Sequence, residues 1–275
     1  MAHLAQTLLG SFHLSLDGHP AAGLRASKVR ALLLYLTLEP ATAHPRATLA
    51  NLLWPQSNDK KARQNLRQTV HRLRLALGDD HLLIGEESLQ LNTASDSWVD
   101  VGQFHALLTA VRGHCPTAPL CPTCLAQLSQ AADLYQGELV PSFALDDCAE
   151  LESWLRQWRE RLHQHALALL YTLAAHYLGQ QEWELAREYA QRQLAMEPWR
   201  EEAHRQLMQM WAGMGQQRAA LEQYGRCQTI LEEELGLPPS AETEQLRREI
   251  AAANQPAPTP SQSPPPSPCL AARPT

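Results

Sequence analysis

Two stretches of this chain carry side chains whose types and spacing suit chemistry. The first is residues 58–77, with six basic residues (Lys60, Lys61, Arg63, Arg67, Arg72 and Arg74) against Asp59 alone. On a helical wheel with Leu66 at the origin, Ala62, Thr69, Val70, Leu73 and Leu77 fall within about 60° and form a core face. Lys60, Gln64, Arg67 and His71 fall on the far side, flanked by Lys61, Gln68 and Arg72. Arginine can fork onto guanine in a major groove and glutamine can pair with adenine, while lysine and the flanking arginines, Arg63 among them, suit phosphates. Leu75 also faces outward, so the DNA-proximal part is expected at the N-terminal and middle turns. The plainer reading of the same side chains is a solvated helix face.

The second stretch is a Cys/Pro-rich loop, His114 to Cys124, in which Cys121-Pro-Thr-Cys124 has CxxC spacing. Two thiolates so spaced can share a tetrahedral zinc that His114 or Cys115 completes, with Cys148 as a distant candidate. Against this, only one CxxC is present, and adjacent residues such as His114 and Cys115 seldom ligate one ion together. Free thiols ask least of the sequence, so neither metal nor cofactor is expected, with structural zinc and redox chemistry as the alternatives. Cys227 reads as a packing residue and Cys269 as inert. The twelve histidines are scattered. His163 and His165 are two apart on a helix and share no face, and His176 and His204 are expected to face solvent or partners. No catalytic constellation emerges, so no enzyme activity and no small-molecule substrate are expected.

The elements that must position these residues follow from periodicity. Leu8, Gly10, Phe12, Leu14 and Leu16 share one parity and predict a short strand or two, ended by Asp17-Gly18. Ser27 is expected to cap a helix with Val29, Leu32, Leu33 and Leu36 on one face. Pro45 opens a shorter helix bearing Leu49, Leu52 and Leu53, closed by Pro55. Arg46 at its start can touch a phosphate or be solvated, and Trp54 at its end reads as a core anchor. Asn58 or Asp59 caps the basic helix, which ends at Gly78. Two apolar segments, Leu82 to Ile84 and Leu89 to Leu91, predict a hairpin.

Beyond Asp100 the pattern is helical. Phe104, Leu107, Leu108 and Val111 form one stripe; Leu151, Trp154, Leu155, Trp158 and Leu162 form another, on a helix at about 147–165. Residues 166–235 repeat with a period of 34: Leu173 with Leu207, Tyr177 with Trp211, Ala186 with Ala220, and Leu194 more weakly with Gln228. Gly215 and Tyr224 fill the small and aromatic positions of the second copy. This pattern is similar to the tetratricopeptide repeat, with a flanking helix at about 240–252. The tail from 255 to 275 is Pro/Ser-rich and reads as disordered or as a linker, which suggests a further domain that has been lost or is not included in this sequence.

Composition bounds these readings. With 44% hydrophobic residues in 275, a core is affordable and general disorder is excluded. The formal charge of -6 hides an uneven split: residues 1–100 are nearly balanced, and the acidic excess lies in 101–275. An acidic helical region would bind protein and leave DNA to the basic helix. The longest apolar run, Ala31 to Leu38, is too short for a bilayer. No secretory pattern opens the sequence, so a cytoplasmic protein without membrane contact, its cysteines reduced, is expected.

Strand, three helices with the third long and basic, then a hairpin is the winged helix-turn-helix plan. Residues 8–104 resemble the winged-helix domain of the Streptomyces antibiotic regulatory protein family. The carrying residues are Leu9-Gly10-Ser11-Phe12, Lys28 to Tyr35, Arg46-x-x-Leu49-x-x-x-Leu53-Trp54-Pro55, Ala62-Arg63-x-Asn65-Leu66-Arg67 and Arg72-Leu73-Arg74-x-Ala76-Leu77. Residues 101–253 resemble the bacterial transcriptional activator domain that follows it in that family. There they are Leu134-Tyr135-x-Gly137-Glu138-Leu139, Leu151-Glu152-x-Trp154, Glu197-Pro198-Trp199-Arg200-Glu201-Glu202-Ala203-His204 and Glu234-Leu235-Gly236. The resemblance implies a mainly α chain: a winged-helix domain at 1–98, an all-α tetratricopeptide-like activator domain at 99–254, and the tail at 255–275. It implies a transcriptional activator that binds double-stranded promoter DNA, with RNA polymerase and a second copy (a homodimer on DNA) as partners. The ATPase domain of many relatives is not implied, because no GxxxxGK[ST] loop occurs. The competing reading is a protein-interaction adaptor without specific DNA binding.

Overall fold

The computed structural model describes residues 2–21, 24, 26–115 and 119–253; the expectations for the 255–275 tail and for Cys269 lie outside these. Among the described residues the order is β1 (Leu4–Thr7), β2 (His13–Leu16), β3 (His19–Pro20), α1 (Ser27–Leu38), β4 (His44–Pro45), α2 (Arg46–Leu53), α3 (Asp59–Leu77), β5 (Leu82–Ile84), β6 (Ser88–Leu91), β7 (Ser97–Val99), then α4 (Asp100–His114), α5 (Pro122–Leu134), α6 (Ala149–Gly179), α7 (Trp183–Met196), α8 (Glu201–Gly213), α9 (Gln217–Leu235) and α10 (Ala241–Ala253). The protein is mainly α with an N-terminal winged helix-turn-helix. The described chain divides after Gln180 into two compact units.

In the first unit β1 pairs antiparallel with β2 and parallel with β7, giving a four-stranded sheet ordered β3-β2-β1-β7. The leucine stripes meet in one core: Leu32, Leu33 and Leu36 of α1, Leu49 and Leu53 of α2, and Leu66 and Leu73 of α3 are all fully buried. Each such side chain contributes about 1.5–3 kcal/mol of burial. The expected hairpin is β5–β6, and β4 joins it as a third strand through His44 opposite Leu89. The backbone N–H of Arg46 donates to Glu87 O at 2.9 Å, so the wing is tied to the start of α2.

The winged helix is also bound to the segment after it. Asp100, 1% exposed at the start of α4, accepts N–H bonds from Leu8 and Leu9 on one oxygen and Val101 on the other, at 2.7–2.8 Å. Burial raises its pKa, and the N–H groups pull the other way. Leu9 bridges Leu139, Gly10 N–H donates to Glu138 O and Val140 N–H to Leu8 O. Gly10 has φ +89°, and a Cβ there would sit 3.0 Å from the Gln136 carbonyl carbon. Only glycine allows that backbone crossing. Two indole N–H groups, of Trp154 and Trp158, donate to Glu39.

Four local expectations need correction. Ser27 does not cap α1: the cap position is Ala26, without a side-chain bond, and Ser27 is the first helical residue. The helix expected at about 147–165 does not stop before the repeat. It runs unbroken for 31 residues as α6, since residues 166–170 continue its apolar stripe and no glycine or proline interrupts it. Gly215 is no packing residue but the left-handed turn before α9, with φ +74° and open space at its Cβ. His204 does not face solvent. It is 1% exposed, with Gln223 donating to Nδ1 at 2.7 Å and Nε2 donating to Pro198 O at 2.9 Å.

In the second unit α7 to α10 pack as successive neighbours. The 34-residue period is visible in element ends: α6 and α8 end at Gly179 and Gly213, and α7 and α9 begin at Trp183 and Gln217. Ala186 and Ala220 are both buried, Ala220 against Met208 and Ile250. The small residue that admits an aromatic ring is Gly213, where a Cβ would meet Trp183 at 2.7 Å. No described helix is long and apolar enough to cross a membrane.

Candidate nucleic-acid interface

The basic helix α3 is anchored at both ends. Asn58 is its N-cap, its side chain accepting the Lys61 N–H at 2.9 Å, and Gly78 (φ +85°) ends it. Ala62, Leu66, Thr69, Val70, Leu73 and Leu77 are buried, as the wheel requires, and Ala76, just outside that face, is buried with them. With that face held in the core, the opposite face has one orientation. Lys60, Lys61, Arg63, Gln64, Arg67, Gln68, His71 and Arg72 are all exposed. Leu75 is 73% exposed and breaks the polar surface at the far end.

Among the described residues, Lys60, Lys61, Arg63, Arg67 and Arg72 have no carboxylate partner, whereas Arg74 pairs with Asp79 through two nitrogens. That pair raises the pKa of Arg74 and lowers that of Asp79. Five cations are thus free to meet an anion and one is occupied. Gln68 and Arg72 border a groove of about 310 Å³ beside α3, whose wall includes Ser27, Lys28 and Trp54. Trp54 is half-buried against this groove. Arg46 is half-buried too, with its Nε enclosed and unbonded. The wing differs in character: its turn exposes Glu86 and Glu87, and β5 exposes Leu83 and Ile84.

The cysteine loop is brought together elsewhere in the first unit. His114, Cys115, Cys121 and Cys124 place their ligand atoms within 4.8 Å of one another. The Cys124 N–H, first, pulls the Cys121 thiol down to about 6, and burial, first, pushes Cys124 up to about 12. Cys148 is not part of this group: its thiol donates to Leu53 O and accepts from Lys28, because α6 begins beside the end of α2. Cys227 is buried, as a packing residue should be.

The model of the bacterial transcriptional activator domain matches residues 99–251, more than half of the chain. Among solved structures, EmbR of Mycobacterium tuberculosis, determined in complex with a low-affinity phosphopeptide, is similar in fold. The TM-score is 0.68 at 21% identity, over 94% of this chain and 67% of that one. No curated protein matches at a significant level. The chain therefore joins a winged helix-turn-helix to this helical domain, and it belongs to the bacterial transcriptional activator domain family.

Proposed function

We propose that the protein activates transcription by inserting α3 into the major groove of a specific promoter sequence. The observation that carries this is the exposed stripe Lys60, Gln64, Arg67 and His71, with Lys61, Arg63, Gln68 and Arg72 beside it, on a helix whose other face is locked in the core. Arg67, near the helix middle, is assigned to a guanine edge, and Gln64 and Gln68 to adenine. Lys60, Lys61, Arg63, Arg72 and Arg46 are assigned to phosphates, which position the helix without reading sequence. The winged helix (1–98) is the DNA-binding part. The acidic helical domain (99–254) is the protein-binding part, for RNA polymerase and a second copy on a neighbouring half-site. The site of action is the cytoplasm.

Glu86 and Glu87 refine the wing's part. Carboxylates at its tip repel phosphate, so α3 supplies the attraction and the wing sets the angle of approach. The test is selection of bound DNA from a random pool, then mobility shifts on the winning site and on random DNA across a salt series. A selected site bound at least a hundredfold more tightly than random DNA, with affinity falling steeply in salt, supports the reading. Absence of any shift at low salt sinks it, and the adaptor reading then takes its place.

A further inference from the structure

We propose that His114, Cys115, Cys121 and Cys124 form a closed structural zinc site that staples the end of α4 to the start of α5. Nδ1 of His114 lies 3.2 Å from the Cys124 sulfur, 3.4 Å from that of Cys121 and 3.7 Å from that of Cys115. Tetrahedral zinc, with bonds of about 2.3 Å to sulfur and 2.0–2.1 Å to nitrogen, has nitrogen–sulfur edges of about 3.6 Å. The three spacings bracket that value. Hydrogen bonding does not account for them, because one imidazole nitrogen has a single proton or a single lone pair and cannot satisfy three sulfurs at once. A metal ion at the centre of the four atoms can. None of the three cysteines is in a disulfide.

The local backbone is built for this. His114 is the last residue of α4, and Cys115 leaves the helix at φ -127°, ψ 76°, which lets two adjacent side chains turn toward one point. Cys121 is the N-cap of α5, Pro122 follows at the first turn, and the Cys124 N–H donates to the Cys121 sulfur at 3.4 Å. An N–H···S bond at a helix N-terminus favours thiolate and orients the ligand. Cys124 is fully buried. Three thiolates and an imidazole exclude magnesium and calcium and suit zinc. Four protein ligands complete the tetrahedron and leave no position for a substrate, so the site is structural. Its role is to hold α4 and α5, which pack on each other.

The test uses the full chain, expressed with zinc and purified without chelator. Metal analysis should find about one zinc per chain. Exchange for cobalt(II) should give the visible bands of a tetrahedral ion with thiolate charge transfer, and X-ray absorption at the zinc edge should fit three sulfurs and one nitrogen. Cys121→Ser with Cys124→Ser should abolish zinc binding, and Cys148→Ser should keep it. In case the double variant fails to fold, His114→Cys serves as the second arm: it should retain the metal while the cobalt spectrum moves to that of four sulfurs. Three results overturn the proposal: well-folded protein that takes up no zinc from an equimolar solution, a folded Cys121→Ser/Cys124→Ser variant with undiminished zinc, or a Cys121–Cys124 disulfide under non-reducing purification. The last would make the pair a redox couple.

Discussion

Arg67 and Lys61 lie six residues apart on the exposed side of α3, yet truncating them should leave different signatures. α3 carries five cations without a carboxylate partner among the described residues. With the four of these assigned to phosphate (Lys60, Lys61, Arg63 and Arg72) and Arg46 as a fifth contact, the slope of log affinity against log salt is about -4.5 per monomer. Lys61→Ala removes about 0.9 of that slope, so between 50 and 200 mM salt the variant's affinity should fall about 3.5-fold less than that of the parent. The Asn58 cap uses the Lys61 backbone N–H, not its side chain, and therefore survives the substitution. Selected and random DNA should be affected alike. Arg67→Ala should cost roughly 1–3 kcal/mol on the selected site, five- to 150-fold, and much less on random DNA, because a base-reading fork is lost. Arg74→Ala is the control. Its guanidinium is already paired with Asp79, so the slope should hardly change. Fluorescence anisotropy on both DNAs, with melts to confirm folding, measures all three. Equal losses for Arg67→Ala on both DNAs would refute base reading by that residue. No effect from either substitution would remove α3 as the recognition helix.

Four further outcomes follow from named contacts. Asp100→Asn places an amide against the Leu8, Leu9 and Val101 N–H groups and should lower stability by about 3 kcal/mol in urea titration; an unchanged midpoint would mean these bonds are not formed. Burial, as the largest cause, lowers the pKa of His105, His165 and His204, so the unfolded chain takes up protons first as pH falls. Stability is then complete above the unfolded value of about 6.5 and is lost below it, at up to about 1.4 kcal/mol per pH unit for the fully buried His204 and less for the partly exposed His105 and His165, and His204→Gln should flatten that dependence in melts run from pH 7.5 to 5. Ala220→Trp should overpack the Met208 and Ile250 contact and cost about 1–3 kcal/mol or more, and an unshifted thermal midpoint would count against the 34-residue register. Glu86→Gln with Glu87→Gln should tighten binding to both DNAs at low salt; no change would place the wing tip beyond about 10 Å from phosphate.

Much of the local structure was legible in the sequence because it rests on near-neighbour rules. Helical spacing of leucines put α1, α2 and α3 in place, and the α3 wheel predicted which side chains are buried. The repeat register could be read because each turn recurs 34 residues on. Ser27 and the 31-residue α6 went the other way, since a boundary depends on what packs against it, which no local pattern records.

What the sequence determined by itself was therefore composition-level and periodic: a basic helix face, an acidic helical remainder, small residues where repeat helices meet. What only the tertiary structure decided was convergence. Leu9-Gly10 and Gly137-Glu138-Leu139 read as separate motifs until the backbones crossed at a point where only glycine fits. Arg74 looked equivalent to its neighbours until Asp79 claimed it, and His204 looked exposed until Gln223 and Pro198 enclosed it. His114 and Cys115 seemed too close in sequence to share a metal, and the helix end between them turned both toward the same point. Spacing along a chain constrains which residues share a face; which faces then meet is set by burial of the whole core, summed over contacts far apart in sequence.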